Sequence, residues 1–119
     1  MGGLSRLRWW QWVPVPGRKW RVVLRVAAAD EVPHRLPPGG VVLVGSPDRP
    51  KWLAFDCPCG LGHRIMANLD VARSPRWSVT QAHPLTLTPS IDAVTAGRRC
   101  HFLLKNGRVA WVRNTHSRR

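Results

Sequence analysis

Acidic residues are scarce in this sequence: 6 Asp and Glu stand against 19 Lys and Arg, a formal charge of +13. That balance favours acidic partners, nucleic acid among them. Of the 19 basic residues 16 are arginine, a bias that GC-rich coding DNA also produces with no selection for binding. Cysteine is scarce too. An odd number, 3, argues against a closed disulfide framework, so the thiols are expected to be free in a reducing cytoplasm. Long apolar runs are missing. None approaches the roughly 20 residues a bilayer-spanning helix needs, so no membrane association is expected. The apolar start at Trp9–Val13 is cut by Pro14 and Pro16 before a leader-like stretch can form, and no secretory leader is expected. Internal repeats and low-complexity tracts are absent as well.

What is present points to one small domain with a modest core. Hydrophobic residues make up 44% of the chain, which excludes wholesale disorder, while 11 prolines and 10 glycines predict many turns and little long helix. The pattern predicts a mostly β fold: a small antiparallel, zinc-ribbon-like domain over residues 36–114 with a C-terminal hairpin. A basic, Trp-rich extension precedes it over 1–35, partly disordered, and a basic tail follows at 115–119. In the extension Trp9, Trp10, Trp12 and Trp20 interleave with Arg6, Arg8, Arg18 and Lys19. Such a mixture can stack on bases, or it is simply a frayed terminus.

Trp20–Ala27 has the β-branched content of a strand. Val41–Gly45 reads as a buried strand, and Lys51–Asp56 as a second. His63–Leu69 fits a strand or a single helical turn, and Trp77–Thr80 pairs with Leu85–Thr88 as a hairpin. Ser90 then caps a loop or short helix. The clearest local signal is Asn106-Gly107 between His101–Lys105 and Arg108–Val112, because Asn-Gly accepts the positive φ of a type I′ turn.

Chemistry concentrates at Asp56-Cys57-Pro58-Cys59-Gly60-Leu61-Gly62-His63. On an extended segment the two sulfurs share one side, and thiols with imidazoles are what tetrahedral zinc takes. Cys57 and Cys59 are the firm pair. The rest of the set comes from His101 together with Cys100 or His63. Cys100 and His101 are adjacent, so on a regular strand they face apart, and both reach one ion only through a bulge or turn. The plainer alternative makes Cys100 a small buried hydrophobe and His63 a surface residue. His34, His83 and His116 carry no role.

From about Gly39 to Val112 the chain resembles a family of small bacterial proteins known as domain of unknown function 6527. The resemblance rests on KWLAFDCPCG, Arg76-Trp77, the segment Leu85–Ile91 and CHFLLKNGRVAW. It implies metal-binding proteins of ubiquitin-like conjugation pathways, with a modifier and its activating and conjugating enzymes as partners and peptidase activity on conjugates as one role. This chain has Leu61 and Arg98 where the family pattern has cysteines, and Cys100 where it has serine. His63 and Cys100 then stand in for the lost ligands, or the site has decayed.

Three functions remain in play. One is a zinc-bearing accessory protein of such a pathway. The second is a hydrolase of modifier conjugates. It would use either zinc-activated water with Asp56 or Asp70 as base, or Cys100 as nucleophile with His63 as its partner. No complete catalytic constellation is legible. The third is a nucleic-acid-binding zinc module that uses the basic, Trp/Arg-rich surface.

Overall fold

A computed structural model describes residues 7–13, 15–95 and 97–112. The predicted tail 115–119, with His116, lies outside the described residues, as does Arg6. Among the described residues eight strands follow in order: β1 (Arg21–Val26), β2 (Gly40–Gly45), β3 (Pro50–Asp56), β4 (Arg64–Asn68), β5 (Ser78–Ala82), β6 (Leu85–Thr95), β7 (Arg98–Lys105) and β8 (Arg108–Trp111). They form two four-stranded sheets, ordered β1-β2-β3-β4 and β5-β6-β7-β8. The helical content among the described residues is two short 3-10 turns, at Trp9–Trp12 and Ala29–Glu31. Among them no helix is long and apolar enough to cross a membrane.

The mostly β expectation holds, with one parallel pair, β1 beside β2. That pair has a consequence for the extension. β1 lies before the seam drawn at residue 35, yet it is a full member of the first sheet. Its first residue, Arg21, is buried, with its guanidinium donating to the side chain and carbonyl of Gln11 and to the Pro38 carbonyl. Burial, with Arg18 nearby, holds that guanidinium below its ordinary pKa. The same contacts fasten the Trp9–Trp12 turn to the domain, while Trp9 itself stays 74% exposed.

The two sheets face each other across one core. Val41, Leu53 and Phe55 come from the first sheet and Leu85, Leu87, Ile91, Phe102 and Leu104 from the second. Phe55 and Phe102 meet edge to face across the gap, with ring centroids 6.3 Å apart. The first sheet is covered on its other side as well, where Leu24, Val26, Leu36, Val42, Val44 and Ala54 form a second cluster. Burial on both faces explains why β2 and the centre of β3 read as unbroken apolar runs instead of alternating.

The C-terminal hairpin forms as predicted, with Asn106 at φ 51° and Gly107 at φ 76°. Gly107 has a second job. Its N–H donates to the Leu85 carbonyl and its own carbonyl accepts from Trp20, so the turn is where the N-terminal segment meets the second sheet. A Cβ there would lie 2.5 Å from the Lys19 Cβ and 2.9 Å from that of Pro84. Gly107→Ala is therefore expected to destabilise the domain by about 2–4 kcal/mol, from backbone strain and overlap together. Gly62→Ala, also at positive φ (+88°) but facing open space, should cost only about 1 kcal/mol. Paired urea melts of the two variants check the difference.

Ser90 departs from its expected place. It lies inside β6, which runs on to Thr95, and does not open a helix. Pro89 lacks an N–H for a regular ladder. The pairing of β6 with β7 shifts register between Leu87 and Ile91, and past that irregularity the strand continues.

Candidate functional site

Two groups of chemically capable side chains flank the start of β7, one on each face. The first is built on the β3–β4 connection. Cys57 N–H donates to the His63 carbonyl at 2.8 Å, and Gly60 N–H to the Cys57 carbonyl at 3.2 Å. Gly60 (φ +81°) supplies the left-handed step that folds the loop on itself. An ion pair from Arg64 Nε to Asp56 Oδ1, 2.8 Å, closes its neck. Cys59 Sγ then lies 3.5 Å from His63 Nδ1.

Cys100 reaches this loop from the inner face of β7. The ligand atoms of Cys57, Cys59, His63 and Cys100 all lie within 4.8 Å of one another. Tetrahedral zinc with thiolate bonds of ~2.3 Å sets its ligand atoms about 3.8 Å apart, so a small contraction suits this donor set to a metal ion. Three thiols and one imidazole are also chemically apt for it. Cys57 and Cys100 are buried; Cys59 and His63 are half-buried.

The thiols differ electrostatically. Desolvation pushes the Cys57 thiol up to about 12, and the sulfurs of Cys59 and Cys100 beside it add to the effect. Cys59 moves down, chiefly because the Leu61 N–H donates to its sulfur, with help from the other two thiols and Arg98. Iodoacetamide near neutral pH is accordingly expected to alkylate Cys59 before Cys57 or Cys100 in metal-free protein. Peptide mass mapping reads the order, and Cys57 reacting first would contradict the geometry.

His101 is not in this group. Adjacent strand residues face apart, and with Cys100 turned inward, His101 points to the outer face. There its Nε2 lies 3.0 Å from Ser90 Oγ. Its Nδ1 is buried and finds no partner among the described residues. When Nε2 accepts the serine proton, Nδ1 must be the protonated nitrogen, and an unpaired buried donor costs about 1–3 kcal/mol. Such a cost is typical of residues kept for chemistry. The Ser90 carbonyl in turn accepts from Trp77 Nε1 at 3.1 Å, which fixes the serine's backbone.

Asp92 stands directly across from His101 in the β6–β7 ladder. Both its oxygens are occupied by Arg99, at 2.8 and 2.6 Å. Arg99 first, and His101 after it, hold this carboxyl below its usual range. Asp56 and Asp70, the bases considered from sequence, are engaged elsewhere: Asp56 with Arg64, and Asp70 with the Ala72 N–H in the loop after β4. Cys100 and His63 meet in the thiol group. The partner for His101 is Ser90, a residue whose sequence context predicts a loop or the cap of a short helix. One signal for it lay in the resemblance, whose matched segments include both Ser90 and His101.

A protein-family model described as "Bacterial ubiquitination-like system serine protease (BubE)" matches residues 28–112. No curated protein and no solved structure matches.

Proposed function

The chain belongs to that BubE family, the serine proteases of bacterial ubiquitination-like systems, and from this premise we propose that it hydrolyses conjugates of a ubiquitin-like modifier with Ser90 as nucleophile and His101 as general base. The observation that carries the reading is the 3.0 Å contact between Ser90 Oγ and His101 Nε2. Among the described residues Ser46, whose hydroxyl accepts from the Arg49 N–H, serves a turn instead. Cys100 is turned toward the other thiols and away from His101.

The chemistry is acyl transfer to water. Ser90 Oγ attacks the carbonyl carbon of the scissile ester or amide as its proton passes to His101 Nε2. The tetrahedral adduct collapses, the C–O or C–N bond breaks, and the departing alcohol or amine leaves with that proton. A water molecule then attacks the Ser90 ester and gives a proton to His101. Collapse of the second adduct releases the carboxylic acid and returns the proton to Ser90 Oγ.

We assign the group of Cys57, Cys59, His63 and Cys100 to a structural zinc ion, the ribbon-like knuckle of the domain. Four protein ligands leave no open position, so zinc here would supply folding free energy, not a reacting water. Its place between the β3–β4 loop and β7 supports a role in joining the two sheets. Three free cysteines suit a reducing compartment such as the cytoplasm.

The test is selective inactivation on a modifier ester or fusion substrate. A sulfonyl fluoride is expected to abolish hydrolysis, and iodoacetamide to leave the zinc-loaded protein active. The reverse pattern would restore Cys100 as nucleophile.

A further inference from the structure

Resting on the Ser90–His101 reading, we infer that the open edge of β6 from Asp92 to Val94 is the docking strand for the substrate polypeptide. It pairs there as an extended segment, antiparallel to β6, so that the segment's C-terminal carbonyl arrives at Ser90.

The edge follows from the ladder. β5 accompanies β6 only along its first residues, and their pairing ends at Ser78 opposite Thr88. Past that point no strand among the described residues pairs with β6 on the side away from β7. The direction of the backbone groups can be read from β7. The His101 carbonyl accepts from the Val112 N–H at 2.9 Å, so His101 spends its backbone bonds toward the β8 side. Asp92, opposite His101, is thus in a non-hydrogen-bonded pair, and its N–H and C=O point away from β7. Val94, opposite Arg99 and two residues on, points the same way. Ser90, two residues back, gives an independent check: its carbonyl accepts from Trp77, which comes in from that side.

The outward groups of Asp92 and Val94 form a short open ladder that leads to the serine, with Asp92 about 7 Å from Ser90 along the strand. Edge strands are commonly blunted by charge, proline or a covering loop. Val94 is instead an apolar residue with 70% of its surface exposed, beside an unpaired edge. An extended polypeptide satisfies the free N–H and C=O groups and covers that surface, which is recognition by strand addition. The antiparallel direction brings the acyl side of the scissile bond to Ser90 Oγ.

The probes are N-acetyl-Thr-Val-Thr-Val-Ala p-nitrophenyl ester and p-nitrophenyl acetate, which share a leaving group but differ in having a backbone to pair. The parent protein is expected to turn over the peptidyl ester with kcat/KM about tenfold or more above the acetate. Val94→Pro removes an outward N–H without touching a bond to β7. It should erase most of that preference through KM and leave acetate hydrolysis unchanged, whereas Val94→Thr should behave as the parent. In the Ser90→Ala protein, the corresponding peptide amide should slow hydrogen exchange at the Asp92 and Val94 amides. An inactive Ser90→Ala with an unchanged ester preference in Val94→Pro and no protection at Asp92 and Val94 overturns the docking strand alone. Parental hydrolysis by Ser90→Ala overturns the nucleophile, and this inference with it.

Discussion

Ser90→Ala is expected to lower hydrolysis of a modifier ester or fusion by about a thousandfold or more, with His101→Ala close to it. The two residues act as one unit, so the double variant should be no slower than the worse single variant. That non-additivity separates a nucleophile–base pair from two residues that merely support the fold. Neither change should unfold the protein. Ser90 and His101 are half-buried on the outer face of the second sheet, away from the Phe55–Phe102 contact that joins the sheets. Asp92→Asn should cost less than about tenfold, because the Asp92 carboxylate is held by Arg99 and does not receive a bond from His101 Nδ1. Steady-state rates on one substrate, with melting temperatures measured in parallel, check all four variants.

The second large effect concerns the metal. Cys57→Ser or Cys59→Ser is expected to drop bound zinc from about one per chain to near none and to lower the melting temperature by at least about 10 °C, which is ~2 kcal/mol for a domain of this size. A small β domain gains much of its stability from such an ion. Uptake must displace the proton that burial holds on Cys57, so zinc affinity should weaken as the medium is made more acidic. Hydrolysis should fall along with stability, because an ion held by Cys100 would anchor the strand that carries His101. His101→Ala makes the decisive contrast: it should keep its zinc and lose its activity. Loss of zinc in that variant would put His101 back among the ligands, as the sequence alone suggested. Native mass spectrometry of the three proteins gives the stoichiometries.

These contrasts depend on details of unequal visibility in the sequence. Asn106-Gly107 announced its hairpin because a type I′ turn is a local demand on backbone angles. The apolar runs of β2 and β3 were equally plain as strands, although nothing in them showed that the first sheet would be covered on both faces. The Cys57–His63 loop carried its own glycines and ligand types, so three of the four residues of the thiol group could be read locally. Cys100 could be joined to it only as a matter of residue type, some forty residues away. Its facing depends on strand parity, and parity placed Cys100 and His101 on opposite sides once β7 proved regular.

Ser90 was hidden for a different reason. A serine after a proline resembles a helix cap, and its contact with His101 is made across a stretch where β6 slips register between Leu87 and Ile91 and then resumes pairing. An irregularity of that kind is set by how two strands settle against each other, and neither strand encodes it alone. The parallel alignment of β1 with β2 is hidden in the same way. The crossover between them passes through the Pro- and Gly-rich segment that looked like a boundary between an arm and the domain.

The most direct measurement is to treat the zinc-loaded protein with a fluorophosphonate, which phosphorylates a serine hydroxyl activated by a neighbouring base, and to map the adduct by peptide mass spectrometry. The expected result is a single adduct on Ser90 that disappears in His101→Ala. An unmodified Ser90 in active protein, or an adduct that forms as readily without His101, would contradict the assignment of this pair as the catalytic centre.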